Sequence, residues 1–168
     1  MMDIESIFET LNDAGVRYVC VGGVAVVLRG VDRITADLDL VLDLQQSNAF
    51  AAVDALLGAG FRAKIPADPR GFADATIRQF WIDEKGMRVM SFYDPSGARP
   101  DVDLFVENPI EFSELDAGAE TVSLRRTHCR VAGVEHLVKM KQAAGRAKDL
   151  SDIRELRERQ RSQQSDAN

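Results

Sequence analysis

Residues 36–44, with the sequence Ala-Asp-Leu-Asp-Leu-Val-Leu-Asp-Leu, alternate acidic and apolar side chains. This period of two predicts a β-strand with one apolar face and one acidic face. Asp37 and Asp39 are two residues apart, so their carboxylates project from the same face of the strand. Neighbouring carboxylates repel each other, and both stay ionised only where a cation lies between them. The segment therefore predicts either a metal-binding strand or an edge strand whose aspartates face solvent.

A second segment repeats this arrangement later in the chain. Residues 101–106, Asp-Val-Asp-Leu-Phe-Val, also predict a strand, with Asp101 and Asp103 on one face. If this strand lies beside the first, a third carboxylate joins the pair, and three carboxylates on adjacent strands can hold two divalent metals. Mg²⁺ prefers such oxygen ligands and usually keeps waters and substrate phosphates in its other positions. Two strands of this kind favour the metal site over the solvent-facing alternative.

A glycine pair precedes the first acidic strand. Gly22-Gly23 lies between a predicted strand over 16–21 and a predicted helix over 24–30. The unpaired N–H groups at a helix start attract phosphates, and glycines let the backbone turn tightly there. A glycine pair alone equally fits a plain turn. Because paired carboxylates follow it, however, it predicts a phosphate-binding turn next to a metal site.

This combination resembles the nucleotidyltransferase superfamily, which has the polymerase-β-like fold. The matching residues are Val21-Gly22-Gly23, Asp37-Leu38-Asp39-Leu40 and Val102-Asp103-Leu104-Phe105. The resemblance implies an α/β (α+β) fold, with a mixed β-sheet covered on one side by helices and followed by C-terminal helices. It also implies that Gly22 and Gly23 bind the phosphates of a nucleoside triphosphate (NTP) substrate. Asp37, Asp39 and Asp103 would be the catalytic ligands of Mg²⁺ or Mn²⁺, with Asp101 as the alternative third carboxylate.

Two further segments resemble the AbiEii/MenT-like bacterial nucleotidyltransferases. Residues 22–40 are similar to their GG-x-A…R-x-T-x-D-x-D stretch, which implies that Arg33 reaches the triphosphate; a surface salt bridge is the alternative. Residues 136–156 are similar to their helical Lys…Arg-x-Lys-Asp-x-x-Asp segment. This likeness implies that Lys148 and Asp152 contact the nucleotide, with Lys141 on the same helix face. A solvated i,i+4 pair between Lys148 and Asp152 is the alternative.

The acceptor of the nucleotide is left open. The AbiEii/MenT resemblance implies a tRNA 3′ end, a toxin role and a cognate antitoxin as partner. A small-molecule acceptor, as in aminoglycoside nucleotidyltransferases, is an alternative, and so is a non-catalytic nucleotide-binding module. Residues 1–124 hold 10 Lys/Arg against 21 Asp/Glu, whereas residues 125–161 hold 11 Lys/Arg against 5 Asp/Glu. The basic C-terminal segment fits RNA, and the acidic body fits a small acceptor equally well.

The chain of 168 residues predicts a catalytic core over 1–132, a helical segment over 133–161 and a disordered tail over 162–168. No apolar run approaches the roughly 18–20 residues that a bilayer span requires, so no membrane association is expected. The acidic start of the sequence does not resemble a signal peptide, and a cytoplasmic protein is the expectation. Residues 77–83 and 87–94, which hold Trp81 and Phe92, predict a β-hairpin around a turn at 84–86.

Overall fold

A computed structural model describes residues 3–167 as seven helices, seven strands and one 3₁₀ turn (Pro69–Ala73). The helices are α1 (Glu5–Asp13), α2 (Gly22–Leu28), α3 (Gln46–Gly58), α4 (Ala75–Lys85), α5 (Phe112–Ala117), α6 (Val134–Ala144) and α7 (Ala147–Asp166). The strands are β1 (Tyr18–Val21), β2 (Asp37–Leu42), β3 (Arg62–Ala63), β4 (Val89–Tyr93), β5 (Asp101–Phe105), β6 (Glu120–Ser123) and β7 (His128–Val131). The expected mixture of helices and strands is confirmed.

All seven strands form one mixed sheet in the order β3-β4-β5-β2-β1-β7-β6. The pairs β2–β5 and β1–β7 are parallel, and the other pairs are antiparallel. Strand β5 follows β2 by some sixty residues in the chain, yet the two strands are neighbours in the sheet. This adjacency is what brings the two acidic segments together.

The apolar positions of the acidic strands form the floor of the core. Leu38 and Leu40 in β2, and Val102 and Leu104 in β5, are fully buried. Helices α1 and α3 pack against each other and contribute apolar side chains at helical spacing. Burying each large apolar side chain stabilises the fold by about 1.5–3 kcal/mol. The alternating sequence thus places leucine and valine in the core and aspartate on the opposite face of the sheet.

The predicted hairpin is wrong in its first arm, because residues 75–85 form helix α4. The Asp74 carboxylate accepts hydrogen bonds from the backbone N–H groups of Thr76 and Ile77 and so caps the helix start. Gly86, with φ +60°, ends the helix in the left-handed conformation. Arg78 and Trp81 are buried at a spacing of three, which is a helical period. The residues 84–86 form the end of a helix rather than a hairpin turn, and β4 pairs with β3 and β5.

The C-terminal segment forms two helices, as the sequence predicts for residues 134–145 and 149–161. Gly145, with φ +65°, ends α6, and α7 begins two residues later at Ala147. Helix α7 continues to Asp166, so the described part of the tail expected to be disordered is helical. Over residues 3–167, no helix is both long and apolar enough to cross a membrane.

Candidate functional site

The register of β2 and β5 brings four aspartates together. Asp37 lies opposite Asp101, and Asp39 lies opposite Asp103, on the sheet face away from the buried leucines. We refer to these four residues as the strand-face aspartates. The second acidic strand therefore lies beside the first, which is the condition under which a third carboxylate joins the pair.

Burial and mutual repulsion raise the pKa of two strand-face aspartates. Burial is the main cause for Asp39, followed by the charges of Asp103 and Asp37, and together they raise its pKa to about 6. Burial also raises the pKa of Asp103, with further contributions from Asp37 and Asp101. The ionised carboxylates therefore oppose one another in a partly desolvated place. A bound divalent cation would relieve this repulsion.

The two carboxylates of β5 have different partners. The Ser91 hydroxyl on β4 donates a hydrogen bond of 2.5 Å to Oδ1 of Asp103. Asp101, at the start of the strand, forms an ion pair with the exposed Lys64. Asp103 is thus held by a neutral group, whereas Asp101 already has a cation. This difference favours Asp103 over Asp101 as the third carboxylate of the site.

The side chains of the described residues do not by themselves form a complete metal-binding site. Among residues 3–167, no group of three or more His, Cys, Asp or Glu side chains is arranged to hold a metal ion. Mg²⁺, however, is usually bound through one or two carboxylates together with substrate phosphates and waters. Asp37 and Asp39 project from one strand face and offer the hard oxygen ligands that this mode requires. The donor chemistry therefore fits a magnesium ion that arrives with a phosphate group.

The glycine pair lies directly against this acidic face. Gly22 has φ +64°, and a β-carbon there would lie 2.0 Å from Oδ2 of Asp39. A β-carbon on Gly23 would lie 2.4 Å from Oγ1 of Thr35. The backbone of Gly23 lies close enough to the Asp39 carboxylate to offset part of the rise in the pKa of Asp39. Both glycines are therefore required for close packing of the site, a role that the sequence pattern did not assign to them.

A second group of charges lies beside the site, and we call it the C-terminal charge cluster. It contains Arg33, Lys141, Arg146, Asp149 and Asp152. Nζ of Lys141 lies 2.6 Å from Oδ2 of Asp152 and 3.5 Å from Oδ1 of Asp149. Arg33 also pairs with Asp152, and Nε of Arg146 lies 2.7 Å from Oδ2 of Asp149. These contacts join the connector before β2 to helices α6 and α7.

The cluster neutralises its own carboxylates. Asp149 is fully buried, and Asp152 and Lys141 are also buried. Hydrogen bonds from Arg146 lower the pKa of Asp149, and the Lys141 ammonium contributes to the same effect. Arg33 forms an ion pair with the buried Asp152 rather than the surface salt bridge that was the alternative, and its contact with a triphosphate stays a prediction.

Lys148 lies outside this cluster. It is exposed and forms no hydrogen bond or ion pair with the part of the chain described here. The expected shared face of Lys141, Lys148 and Asp152 is wrong, because the chain changes direction at Gly145 between α6 and α7. Lys148 and Asp152 both lie on α7, after this break, but they form no ion pair, because Asp152 pairs with Lys141 and Arg33 instead. A glycine followed by Arg146 and Asp149, which form a capping box, was the sequence signal for this break.

A cavity of about 540 Å³ connects the two groups of charges. Gly22 and Asp39 line it on the sheet side, and Lys141 and Arg146 line it on the helical side. The hydrogen bond to Asp149 is the main cause of the raised pKa of Arg146, and the charge of Asp39 across the cavity contributes to it. The volume lies within the range of about 300–1,000 Å³ that is usual for small-molecule sites.

Several solved structures are similar to this fold. A nucleotidyltransferase candidate from Thermotoga maritima matches with a TM-score of 0.58 and 14% identity, over 92% of this chain and 94% of that one. ANT(2″)-Ia, in complex with adenylyl-2″-tobramycin, matches with a TM-score of 0.58 and 12% identity, over 98% and 97%. An antigenic nucleotidyltransferase-like protein from Paracoccidioides brasiliensis matches with a TM-score of 0.55 and 19% identity, over 90% and 70%.

These likenesses establish the nucleotidyltransferase fold, as the sequence predicted. No protein-family profile matches the sequence, and no curated protein matches it significantly. The narrower resemblance to AbiEii/MenT-like proteins stays a prediction.

Proposed function

We propose that the protein is a Mg²⁺-dependent nucleotidyltransferase that moves a nucleoside monophosphate from an NTP to an acceptor hydroxyl. The observation that carries the proposal is the placement of Asp39 beside Asp103, at the mouth of a cavity that Lys141 and Arg146 also line. Carboxylates for a metal and cations for phosphates thus border one space. The fold of the solved neighbours supports the same reaction class.

In this proposal, Asp37 and Asp39 hold the metal, which when bound offsets the negative charge of the triphosphate. Gly22 and Gly23 let the backbone approach the phosphates closely. Lys141 and Arg146 face the phosphates from the helical side. Asp149 and Asp152 act as positioning residues, because their buried carboxylates fix these two cations.

Asp103 receives the proton of the acceptor hydroxyl. The acceptor oxygen then forms a bond to the α-phosphorus, the bond from that phosphorus to the bridging oxygen breaks, and pyrophosphate leaves. A raised pKa makes Asp103 a better proton acceptor near neutral pH. The hydrogen bond from Ser91 keeps its carboxylate oriented toward the acceptor side.

For the acceptor, we propose a small cationic molecule rather than a tRNA 3′ end. The acceptor side carries Asp101 and Asp103, which would repel RNA phosphates and attract amines. In the basic C-terminal segment, three cations outside the proposed phosphate site are paired with carboxylates: Arg126, Arg130 and Arg157. ANT(2″)-Ia, whose structure holds an adenylylated tobramycin, is a neighbour with a small acceptor. A tRNA acceptor, with a toxin role and a cognate antitoxin, is the competing outcome of the test.

The test uses each α-labelled NTP with Mg²⁺ and either an aminoglycoside and polyamine-alcohol panel or a total RNA pool. We expect transfer to a small acceptor, and a loss of about a thousandfold or more in Asp39→Asn, since several kcal/mol of charge stabilisation are removed. Asp54→Asn, a surface aspartate on α3 paired with Arg70, is the matched control and keeps full activity. Label on tRNA would overturn the choice of acceptor. Absence of transfer to every acceptor, with Asp39→Asn identical to the parent protein, would overturn the enzymatic proposal.

A further inference from the structure

The cavity beside Asp39 has an apolar end that the proposed chemistry does not use. On the sheet side, Val89 of β4 and Phe105 of β5 are neighbours in register and continue the face that carries Ser91 and Asp103. Ile110, Leu137 and Met140 close the cavity from the loop after β5 and from α6. Val89, Phe105 and Met140 are only partly buried, so their apolar surfaces are open to a ligand in the cavity.

The position of this end distinguishes the nucleotide side of the site from the acceptor side. The described residues that line the cavity include Gly22, Lys141 and Arg146, which face the proposed phosphates. They do not include Asp103 or Ser91, where the acceptor hydroxyl is proposed to lie. A planar group attached to the phosphates would therefore reach the apolar end, whereas the acceptor would approach from outside it.

We infer that this apolar end is the binding site of the nucleobase, and that it binds the four bases with little discrimination. The inference rests on the proposed function, since the phosphates are placed by it. Among the described residues that line the cavity, there is no Asn, Gln, Ser, Thr, Tyr or His to hydrogen-bond the edge of a base. Arg88 and Lys139 line it as well, but both side chains are exposed at its mouth.

The absence of edge-reading side chains sets the expected degree of selectivity. A site built around hydrogen bonds rejects a wrong ligand by about 10⁴–10⁵-fold, whereas an apolar pocket discriminates by size only about 10–200-fold. Base–aromatic stacking tolerates all four bases, because every base has a π face, and each stack contributes about 5- to 150-fold in affinity. Phe105 is the aromatic ring that lines the cavity and can supply this contact.

The test measures Mg²⁺-dependent binding of ATP, GTP, CTP and UTP, and of inorganic tripolyphosphate as a probe without a base, by titration calorimetry. We expect the four NTPs to differ by less than about 200-fold and each to bind more tightly than tripolyphosphate. Phe105→Ala weakens all four NTPs by about fivefold or more and leaves tripolyphosphate unchanged. Phe80→Ala, an exposed phenylalanine on α4, is the matched control and changes neither probe. Met140→Ala gives the same pattern as Phe105→Ala and serves if Phe105→Ala does not fold.

Five results would overturn the inference. The first two are unchanged NTP affinity in both cavity variants and an equal loss for NTPs and tripolyphosphate. The third is a preference for one base of a thousandfold or more. The fourth, tripolyphosphate binding as tightly as the NTPs in the parent protein, overturns the nucleobase site alone. The fifth result, that none of the five probes binds, overturns the proposed nucleotide site as well. The experiment therefore separates failure of the proposed function from failure of this inference.

Discussion

Two groups of aspartates lie on either side of the same cavity, with opposite electrostatics. The strand-face aspartates crowd one another, and the pKa of Asp39 rises to about 6. In the C-terminal charge cluster, the more deeply buried Asp149 has a lowered pKa, because Arg146 and Lys141 surround it. Burial raises the pKa of Asp39, whereas at Asp149 the hydrogen bonds from Arg146 outweigh the effect of burial. Among the strand-face aspartates, only Asp101 has a cation as partner, whereas the C-terminal charge cluster contains more cations than carboxylates.

This contrast assigns different roles to identical side chains. Carboxylates that repel each other gain stability only when a cation from outside binds between them. Carboxylates that are already paired gain nothing from such a cation and instead fix the positions of lysine and arginine. The strand-face aspartates thus suit ligand binding, and the C-terminal charge cluster suits the rigid support of the phosphate-facing cations.

The largest expected difference between the two groups is in stability. Asp152→Asn leaves Lys141 and Arg33 without their shared partner, and losing one member of a buried pair costs about 3–5 kcal/mol. Asp37→Asn removes a repelling carboxylate, so the free energy of unfolding stays the same or rises. Urea denaturation at pH 7 measures both, with Asp54→Asn as the surface control. An equal cost for Asp37→Asn and Asp152→Asn would remove the distinction between the groups.

The two groups are also expected to make the free energy of unfolding depend on pH in opposite directions. The pKa of Asp39 is about 6 in the folded protein and 3.8 ordinarily, so the folded state binds the extra proton between these values. Raising the pH through this window therefore lowers the free energy of unfolding, by about 1–3 kcal/mol after allowance for partial exposure. Asp149 has a lowered pKa, so its contribution is present above pH 3.8 and is lost as the pH falls below it.

Denaturation of the parent protein and of Asp39→Asn, from pH 4 to pH 7, separates these contributions. We expect the decline between pH 4 and pH 6 to be shallower in Asp39→Asn. A decline of unchanged size in that variant would assign the titration to another group.

A smaller effect is expected at the glycines. Gly22→Ala and Gly86→Ala both place a side chain at a positive φ, which costs about 1–2 kcal/mol of stability. Only at Gly22 does the new β-carbon collide with Asp39; nothing lies within 4 Å of a β-carbon at Gly86. We expect thermal destabilisation in both variants, larger in Gly22→Ala because of the collision, and loss of nucleotide transfer in Gly22→Ala alone. Full transfer activity in Gly22→Ala would show that Asp39 need not lie against this turn.

The smallest expected effect is at Lys148. Its side chain is exposed and forms no ion pair among residues 3–167, so Lys148→Met should change stability by less than about 0.5 kcal/mol. NTP affinity is expected to change less than twofold, whereas Lys141→Met weakens it strongly. Calorimetric titration of both variants measures the difference. A larger loss of affinity in Lys148→Met than in Lys141→Met would return Lys148 to the site.

The strand-face aspartates could be read from the sequence alone. For the C-terminal charge cluster, the family resemblance indicated Arg33, Lys141 and Asp152, but not the ion pairs among its members. Alternation with a period of two places Asp37 and Asp39 on one face whatever the rest of the chain does. Predicting that Asp103 lies beside this pair also required the resemblance to a known fold. By contrast, the ion pair between Arg33 and Asp152 spans 119 positions, and no local pattern encodes such a contact.

Local signals account for the other errors. Residues 77–83 hold aromatic and β-branched side chains that suit a strand, but the cap at Asp74 and the glycine at Gly86 fix a helix. Lys141 was associated with Lys148 because both were placed on one helix, and the positive φ at Gly145 separates them. In both cases a capping residue outweighed the preference of the intervening side chains.

The contrast between the two groups can be measured most directly in the ionisation of their carboxylates. Carboxyl ¹³C NMR titration follows Asp39 and Asp149 with and without Mg²⁺ and a non-hydrolysable NTP. The account predicts that the pKa of Asp39 falls from about 6 to below 3.8 when both ligands are present, while the pKa of Asp149 stays low throughout. A pKa near 6 for Asp39 with and without the ligands would contradict the metal and nucleotide site proposed here.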